Sequence, residues 1–278
     1  MRLKIRHETV YRFETPAAAV TQTLRVTPRN HDGQHVIRWR VDIDRNCRLR
    51  AAEDAFGNQT HVFSVEGPVD DMTVLVEGEI DTQDTSGVVA GAVERFPPAL
   101  YLRETELTGF DLDIAAFAKD VREGAGVDAL SQLHALLAAL HREMTFDPKP
   151  AESATTAAEA FRLKRGLCQD LAHVFIVAAR AIGVPARYVS GYLLASGDMP
   201  EHEAGHAWVE GHVPGLGWVG FDPAHKLCAT EAHARVAIGL DSLGAAPIRG
   251  VRYGGAAETF DVKVKVEDVS QGRGYRRF

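Results

Sequence analysis

The N-terminal third of the chain alternates apolar and polar positions with a period of two. In Ile37–Asp44 every second residue is apolar and the residues between are Arg or Asp, which is the pattern of a strand with one buried face. Gly57-Asn58 supplies a hairpin turn ahead of the apolar stretch Val62–Val65, and Met72–Val76 reads as another strand. The sequence therefore predicts an antiparallel β-domain in this region.

The pattern changes after a segment punctuated by glycine and proline, residues 87–98. Apolar residues then recur at helical spacing in residues 112–119 and again in residues 130–140, which predicts two amphipathic helices. We therefore expect an N-terminal β-domain over residues 1–95 and a second unit over residues 96–278.

A short helix and a long buried helix follow. Thr156 and Glu159 have capping-box spacing and indicate the start of the short one. The long helix is predicted to begin near Cys168 and to stop at Gly183-Val184-Pro185. Its apolar stripe consists of Leu171, Ala172, Phe175, Ile176, Ala179 and Ile182.

Strand-like segments occupy much of the remaining chain. Arg187–Leu194, His206–Val213 and Trp218–Asp222 are strand candidates, and a Pro-Gly-Leu-Gly turn joins the last two. A final alternating segment, Phe260–Glu267, predicts a strand with one solvated face that returns to either sheet. The predicted fold class is α+β: a cysteine-bearing helix packed on an antiparallel sheet, preceded by the β-domain.

Charge and composition narrow the classes of partner. The chain has 31 basic and 38 acidic residues, a formal charge of −7, and lacks the electropositive excess that nucleic-acid binding demands. The N-terminal residues 1–8 mix charged and apolar side chains and resemble neither a signal peptide nor a membrane span. A cytoplasmic protein that binds neither nucleic acid nor membrane is the expectation, and the oligomeric state cannot be read from the sequence.

The three cysteines, Cys47, Cys168 and Cys228, are too few for a disulfide framework or a four-thiolate metal site, and we expect no cofactor. Cys168 differs from the others because it follows Gly166-Leu167 at the first turn of an apolar helix. There the helix dipole favours the thiolate and predicts a lowered pKa. The backbone N–H of Cys168 could also donate to a developing oxyanion.

A cysteine nucleophile needs a base, and the base needs a group that orients it. If Val213–Gly217 forms the hairpin connection, Trp208 lies opposite Asp222, and His206 and Asp222 become diagonal neighbours on one face of the sheet. The sequence therefore predicts that Cys168, His206 and Asp222 form a catalytic triad.

Four blocks of sequence follow one another in the second half of the chain: Gly166–His173, Ala186–Tyr192, His206–Glu210 and Gly217–Pro223. They resemble, in content and order, the motifs of the bacterial transglutaminase-like cysteine protease family. The N-terminal part also resembles that family's β-region through Tyr11, Phe13, Thr27-Pro28 and Asp54–Asn58, so the resemblance covers most of the chain.

The resemblance implies a papain-like core with Cys168 as nucleophile, His206 as base and Asp222 as the orienting carboxylate. Supporting or substrate-side roles are open for four further residues. Two of them also have a purely structural interpretation, since His173 can satisfy a partner in the helix layer and Tyr188 can pack. The chain departs from the family pattern at Leu240, Ser242 and Gly244, where the family commonly has Arg, Tyr and Asp, so it lacks three polar side chains that could contact substrate or support the site. The supporting candidates are Asp170, His173, Tyr188 and Trp208.

A zinc metalloprotease is an alternative, because His202-Glu203-Ala204-Gly205-His206 matches the H-E-x-x-H pattern and His212 could follow as a third ligand. Both histidines must then share one helical turn, yet Pro200 and Gly205 interrupt the segment, which continues as an alternating strand. Strand residues four apart are separated by roughly 13 Å, too far for one zinc ion with bonds near 2 Å. The metal hypothesis predicts stoichiometric zinc and sensitivity to chelators.

A binding module on an inactive hydrolase fold is the second alternative, and the complete triad argues against it. The favoured function is hydrolysis of a peptide or protein amide through a thioester on Cys168. Rapid alkylation of Cys168, with an apparent pKa well below about 8.5, would distinguish the enzyme from the inactive module.

Overall fold

The computed structural model describes residues 1–147, 155–195 and 205–270. Two large antiparallel sheets and a layer of helices build the molecule, and the α+β class predicted from the sequence is confirmed. Within these residues no helix is both long and apolar enough to span a membrane.

The first sheet is dominated by two very long strands that pair along most of their length, β1 (Arg2–Thr27) and β4 (Gln59–Thr82). Its strand order is β13-β1-β4-β2, with β14 paired to β1 and β3 paired to β4. The hairpin turn predicted at Gly57-Asn58 connects β3 to β4, and Gly57 takes a φ of +87° there, which favours glycine. The other strands of this sheet are β2 (Gln34–Ile43), β3 (Arg50–Glu53), β13 (Ile248–Tyr253) and β14 (Glu258–Asp268).

The C-terminal strands therefore return to the N-terminal sheet. Strand β14 contains the alternating segment that the sequence analysis left open, and it pairs with β1 from Leu3 to Phe13. The division into units at residue 95 stays a prediction.

The second sheet carries the residues proposed for chemistry. Its order is β11-β10-β9-β8-β12, with β5 paired to β10. The members are β5 (Val88–Val89), β8 (Ala186–Leu193), β9 (His206–Val213), β10 (Gly217–Asp222), β11 (Leu227–Cys228) and β12 (His233–Gly239). Strands β6 (Thr145–Phe146) and β7 (Arg165–Gly166) form a small parallel pair, and β7 lies directly before the cysteine helix.

Helices begin where the sequence supplies capping side chains. The carboxylates of Asp111 and Asp128 accept from backbone N–H groups in the first turns of α1 and α2, and the predicted capping box between Thr156 and Glu159 starts α3. The helices are α1 (Leu112–Glu123), α2 (Ala129–Glu143), α3 (Ala157–Leu163) and α4 (Cys168–Ala181).

Helix α4 is the centre of the larger hydrophobic core. Every residue from Asp170 to Ala179 is buried, because the other three helices pack on one side of α4 while β8 and β9 pack on the other. A helix that is apolar on nearly all sides is typical of such a position. Its N-terminus, and with it Cys168, is therefore held rigidly relative to the second sheet.

Hydrogen bonds join the first sheet to the second. Gln34 donates to the carbonyl of Arg235 and accepts from its N–H, and Asn58 makes the same two-way contact with Ile238. His7 and the hydroxyl of Tyr192 lie 3.0 Å apart in the interior. One face of the N-terminal sheet is thereby fixed against the part of the core that contains Cys168.

Candidate active site

The turn that presents Cys168 is built by its neighbours on both sides. Asp170 accepts a hydrogen bond of 2.9 Å from the backbone N–H of Leu167, which closes the first turn of α4. Gly166 makes room for that carboxylate, since a Cβ at position 166 would lie 2.6 Å from the Cβ of Asp170. Asp170 thus closes the first turn of the helix on which Cys168 lies, and its supporting role at the site stays a prediction.

The side chain of Cys168 is half-buried and lines a cavity of about 670 Å³ together with Gln169, Tyr188 and His206. Burial raises the pKa of the Cys168 thiol to about 12, although hydrogen bonds from the backbone of Ala207 and Gln169 oppose that rise. This direction is opposite to the lowered pKa predicted from the helix terminus, because desolvation of the thiol outweighs the two backbone hydrogen bonds.

His206 and Asp222 form a short hydrogen bond inside the second sheet. The distance from His206 Nε2 to Asp222 Oδ2 is 2.7 Å, and both side chains are fully buried. The observed register, in which Gly217 pairs with Val213 and Phe221 with Val209, is the one expected from the hairpin.

Burial lowers the pKa of His206, and the neighbouring carboxylate offsets this only in part. Burial would raise the pKa of Asp222, but His206 and its other hydrogen-bond donors hold that pKa well below the ordinary value. Asp222 is therefore ionised, and an ionised carboxylate only accepts hydrogen bonds. The proton of the neutral His206 imidazole consequently lies on Nε2, which leaves Nδ1 as its basic nitrogen.

Two further histidines bind the same carboxylate. His225 Nδ1 lies 2.8 Å and His233 Nε2 lies 3.3 Å from Asp222 Oδ2. The other oxygen, Oδ1, accepts from the backbone N–H groups of Ala224 and His225. His233 starts β12 and has no local signal in the sequence, so it was not predicted, whereas the spacing of three residues from Asp222 to His225 fits a side-chain-to-backbone turn.

The remaining predicted residues lie around this cluster. Trp208 is buried with its indole stacked on His206 at a centroid distance of 6.0 Å. Tyr188 is buried beside the cavity, and the centroid of its ring lies 5.4 Å from that of the His173 ring. His173 accepts from the backbone N–H of Ser242, so its partner lies in a loop after β12 rather than in the helix layer.

The departure from the family pattern falls in that loop, whose contacts use main-chain atoms. The carbonyl of Leu240 accepts from Arg180 at 3.0 Å, and the N–H groups of Ser242 and Gly244 donate to His173 and Asp241. Any residue supplies these backbone groups. The substitutions therefore preserve these main-chain hydrogen bonds, two of which connect the loop to Arg180 and His173 of α4.

His206, Asp222 and His225 are the described residues whose ligand atoms lie close enough together to hold a metal ion, all within 4.8 Å. The imidazole nitrogens converge on Oδ2 itself at hydrogen-bond distance, whereas tetrahedral zinc would keep its ligands roughly 3.3 Å apart around a separate centre. The geometry therefore fits a hydrogen-bonded cluster better than a zinc site.

The specific zinc motif of the sequence analysis is only partly visible. His202 and Glu203 lie outside the described residues. His206 and His212 stand at opposite ends of β9, roughly 20 Å apart at the rise of an extended strand. His212 cannot join His206 on one ion.

A second buried charged cluster lies on β9, four residues beyond His206. Glu210 is fully buried and accepts from Arg187 at 2.7 Å and from Arg235 at 2.6 Å. Arg187 in turn donates to both oxygens of Glu94 and stacks over the Trp218 ring at 3.9 Å. Burial would raise the pKa of Glu210, yet Arg235 and Arg187 hold it at about 2.

Comparisons with known proteins agree with this architecture. The model of the bacterial transglutaminase-like N-terminal region matches residues 3–81, and the model of the transglutaminase-like superfamily matches residues 115–223. A candidate cysteine protease from Cytophaga hutchinsonii superposes with a TM-score of 0.76 and 18% identity, covering 98% of this chain and 91% of that chain. The likeness is one of fold, and the transglutaminase-like core predicted from the sequence is confirmed.

Two relatives by sequence extend the comparison. An uncharacterized protein of Mycobacterium leprae is 27% identical over 95% of this chain and 98% of its own length. A protein-glutamine gamma-glutamyltransferase of Pseudomonas aeruginosa is 30% identical over 172 residues, which cover 54% of this chain and 26% of that protein. The chain carries a bacterial transglutaminase-like N-terminal region followed by a core of the transglutaminase-like superfamily.

Proposed function

We propose that the protein is a cysteine-nucleophile amide or peptide hydrolase in which Cys168 attacks, His206 transfers protons and Asp222 orients His206. The observation that carries the proposal is the pairing of a buried His206–Asp222 hydrogen bond with a thiol that lines the same cavity at a helix start. A base held by a carboxylate beside a nucleophile is the arrangement that acyl transfer requires.

The protonation states of Cys168 and His206 determine the first step of the proposed reaction. Because the pKa of Cys168 is raised and that of His206 is lowered, the resting pair is a neutral thiol and a neutral imidazole. Nδ1 of His206 takes the thiol proton as Sγ forms its bond to the amide carbon, so the imidazole acts as a general base. The resulting imidazolium is stabilised by the Asp222 carboxylate.

The remaining steps return the enzyme to its starting state. His206 gives the proton to the amide nitrogen as the C–N bond breaks, and a thioester remains on Cys168. His206 then deprotonates a water that attacks the thioester, which releases the acid and restores the thiol. The Cys168 backbone N–H at the start of α4 is the candidate donor to the oxyanion of both steps.

Amine transfer is the second candidate outcome. It is favoured by the similarity to the Pseudomonas aeruginosa gamma-glutamyltransferase, and in it an amine replaces water in the final step. Incubation with a peptide substrate and an excess of a primary amine separates the two reactions. Hydrolysis predicts mainly the acid product, and predominance of the amine adduct would replace hydrolysis by transfer.

Activity-based labelling with a library of peptide electrophiles tests the mechanism. We expect labelling of the wild type, loss of labelling in Cys168→Ala and strong loss in His206→Ala, with Cys228→Ala as the matched thiol control that retains it. Equal labelling of wild type and Cys168→Ala would end the proposal. Undiminished activity after Cys168→Ala together with chelator sensitivity would favour the zinc alternative, and no activity with any substrate would favour the inactive binding module.

The substrate proposed for this chemistry is a peptide or protein amide. The net charge of −7 is consistent with the expectation that nucleic acid is not a partner. The cytoplasmic location stays a prediction, and cell fractionation would test it.

A further inference from the structure

The cavity beside Cys168 has a second wall that belongs to the N-terminal sheet. Strands β1, β13 and β14 contribute one face of side chains to it, opposite Cys168 and His206. The polar and aromatic members that matter here are Tyr11, Gln22, Arg252, Glu258 and Phe260. A substrate reaching the thiol therefore passes along this sheet face.

Gln22 presents an unsatisfied acceptor on this wall. The residue is 5% exposed, and its Oε1 has no hydrogen-bond partner within the described part of the chain. Gly250 pairs directly with Gln22, and a Cβ there would lie 2.6 Å from Gln22 Cγ, so the absence of a side chain at 250 leaves the space that Gln22 occupies. A buried amide oxygen without a partner costs free energy, which a substrate donor would recover.

Arg252 presents the complementary donor. It pairs with Val20, two residues from Gln22, so the Gln22 and Arg252 side chains are diagonal neighbours on one face of the sheet. Nε of Arg252 lies 3.5 Å from Glu258, whereas Nη1 is buried and has no partner among the described residues. Gln22 Oε1 and Arg252 Nη1, an acceptor and a donor without partners among the described residues, thus belong to diagonal positions on the wall that faces the thiol. The Gln22 side chain also shares a hydrogen bond with Tyr11.

We propose that Gln22 and Arg252 bind the main chain of the substrate, with Gln22 Oε1 accepting from a peptide N–H and Arg252 Nη1 donating to a peptide carbonyl. The inference rests on the proposed function and names its substrate as an extended peptide rather than a small amide. An extended peptide offers N–H and C=O groups along one edge, which matches this pair. Tyr11 and Phe260 provide aromatic surface beside it.

The test compares rates of Cys168 modification by two reagents in wild type and Gln22→Met. Iodoacetamide is small and does not need the sheet wall, whereas a peptidyl electrophile does. We expect equal iodoacetamide rates and about a tenfold slower reaction of the peptidyl electrophile in Gln22→Met, the scale of one lost hydrogen bond to a buried group. Thr23→Val, on the opposite face of β1, is the matched control and should change neither rate.

A set of peptidyl electrophiles in which one backbone N–H at a time is replaced by an ester oxygen separates binding from a structural effect. In the wild type one position should lose about tenfold in rate, and the same replacement should have no effect in Gln22→Met. Arg252→Met should likewise slow the peptidyl reagent alone.

Three results would overturn this inference. The wild type could react equally fast with every ester-substituted reagent, wild type and Gln22→Met could show the same loss for the same substitution, or the iodoacetamide rate could fall in parallel with the peptidyl rate. Failure of the proposed function looks different, since wild-type Cys168 would then react with peptidyl electrophiles no faster than Cys228 does.

Discussion

Glu210 and Asp222 lie on adjacent strands of the second sheet, and both carboxylates are fully buried. Glu210 is held by the guanidinium groups of Arg187 and Arg235. Asp222 is held by imidazoles and backbone N–H groups. The same charge in the same sheet is thus compensated by two different kinds of donor.

The two kinds of donor suit the two clusters to different roles, one in stability and one in the proposed reaction. A guanidinium stays protonated throughout the accessible pH range, so the Glu210 cluster can fix strand positions but cannot move a proton. An imidazole gains and loses a proton near neutrality, so the Asp222 cluster contains the kind of group that the proposed proton transfer from Cys168 requires. Changes in the Glu210 cluster should therefore alter stability, and changes in the Asp222 cluster should alter the reaction rate.

The largest expected effect comes from Asp222→Asn. The amide can donate to His206 Nε2 and favours the wrong tautomer, so kcat should fall by about 10⁴-fold, the scale of this change in other triads. Steady-state kinetics on a peptide substrate measures it, with circular dichroism as the folding control. A loss smaller than tenfold would remove Asp222 from its orienting role.

Glu210→Gln should act on stability. It removes the buried carboxylate that the fully buried Arg187 and the partly buried Arg235 share, which costs about 3–5 kcal/mol of unfolding free energy. Urea denaturation measures the loss, and the activity per folded molecule should stay within about threefold of wild type, well below the tenfold effect of 1.4 kcal/mol. A large kinetic loss in a stably folded variant would contradict the separation of roles.

The two clusters should also respond to acid in different pH ranges. The pKa of His206 is lowered, so activity should fall only as the pH drops through a value below 6.5, when Nδ1 becomes protonated. Glu210 has a folded pKa of about 2 against 4.5; its contribution to stability is complete above about pH 4.5 and is lost as the pH falls toward 2. Parallel pH profiles of kcat/KM and of urea stability would show whether the two transitions separate, and a single shared transition would contradict the comparison.

The smallest predicted effect is a shift in the pKa of the proposed base, His206. His233 lowers the pKa of His206, so His233→Gln should raise it and move the acid limb of kcat/KM upward by less than about one pH unit. His212→Gln, on β9 but away from Asp222, is the control and should leave the limb in place. A downward shift in His233→Gln would show that the electrostatic assignment has the wrong sign.

Local rules predicted much of the site. The hairpin between β9 and β10 fixes its own register, so the proximity of His206 and Asp222 followed from counting residues around the turn. The start of α4 at Cys168 was readable from glycine and helical periodicity, and the capping box of α3 from two residues. Each of these depends on residues close together in sequence.

Contacts between distant parts of the chain were not predictable. The pairing of β13 and β14 with β1 joins segments more than 200 residues apart, and His233 reaches Asp222 from another strand. The raised pKa of Cys168 has the same origin, since the helix dipole is local whereas the desolvating surroundings are assembled by the fold. The N-terminal wall of the cavity is likewise visible only once the sheets are packed.

Trapping the acyl-enzyme tests the central claim most directly. Rapid quench of the wild type with an activated peptide ester, followed by intact-mass measurement and peptide mapping, should show one acyl group on Cys168 that disappears as the acid product forms. Cys168→Ala should form no adduct, and Cys228 should stay unmodified. Turnover without an adduct on Cys168, or undiminished turnover by Cys168→Ala, would contradict the account.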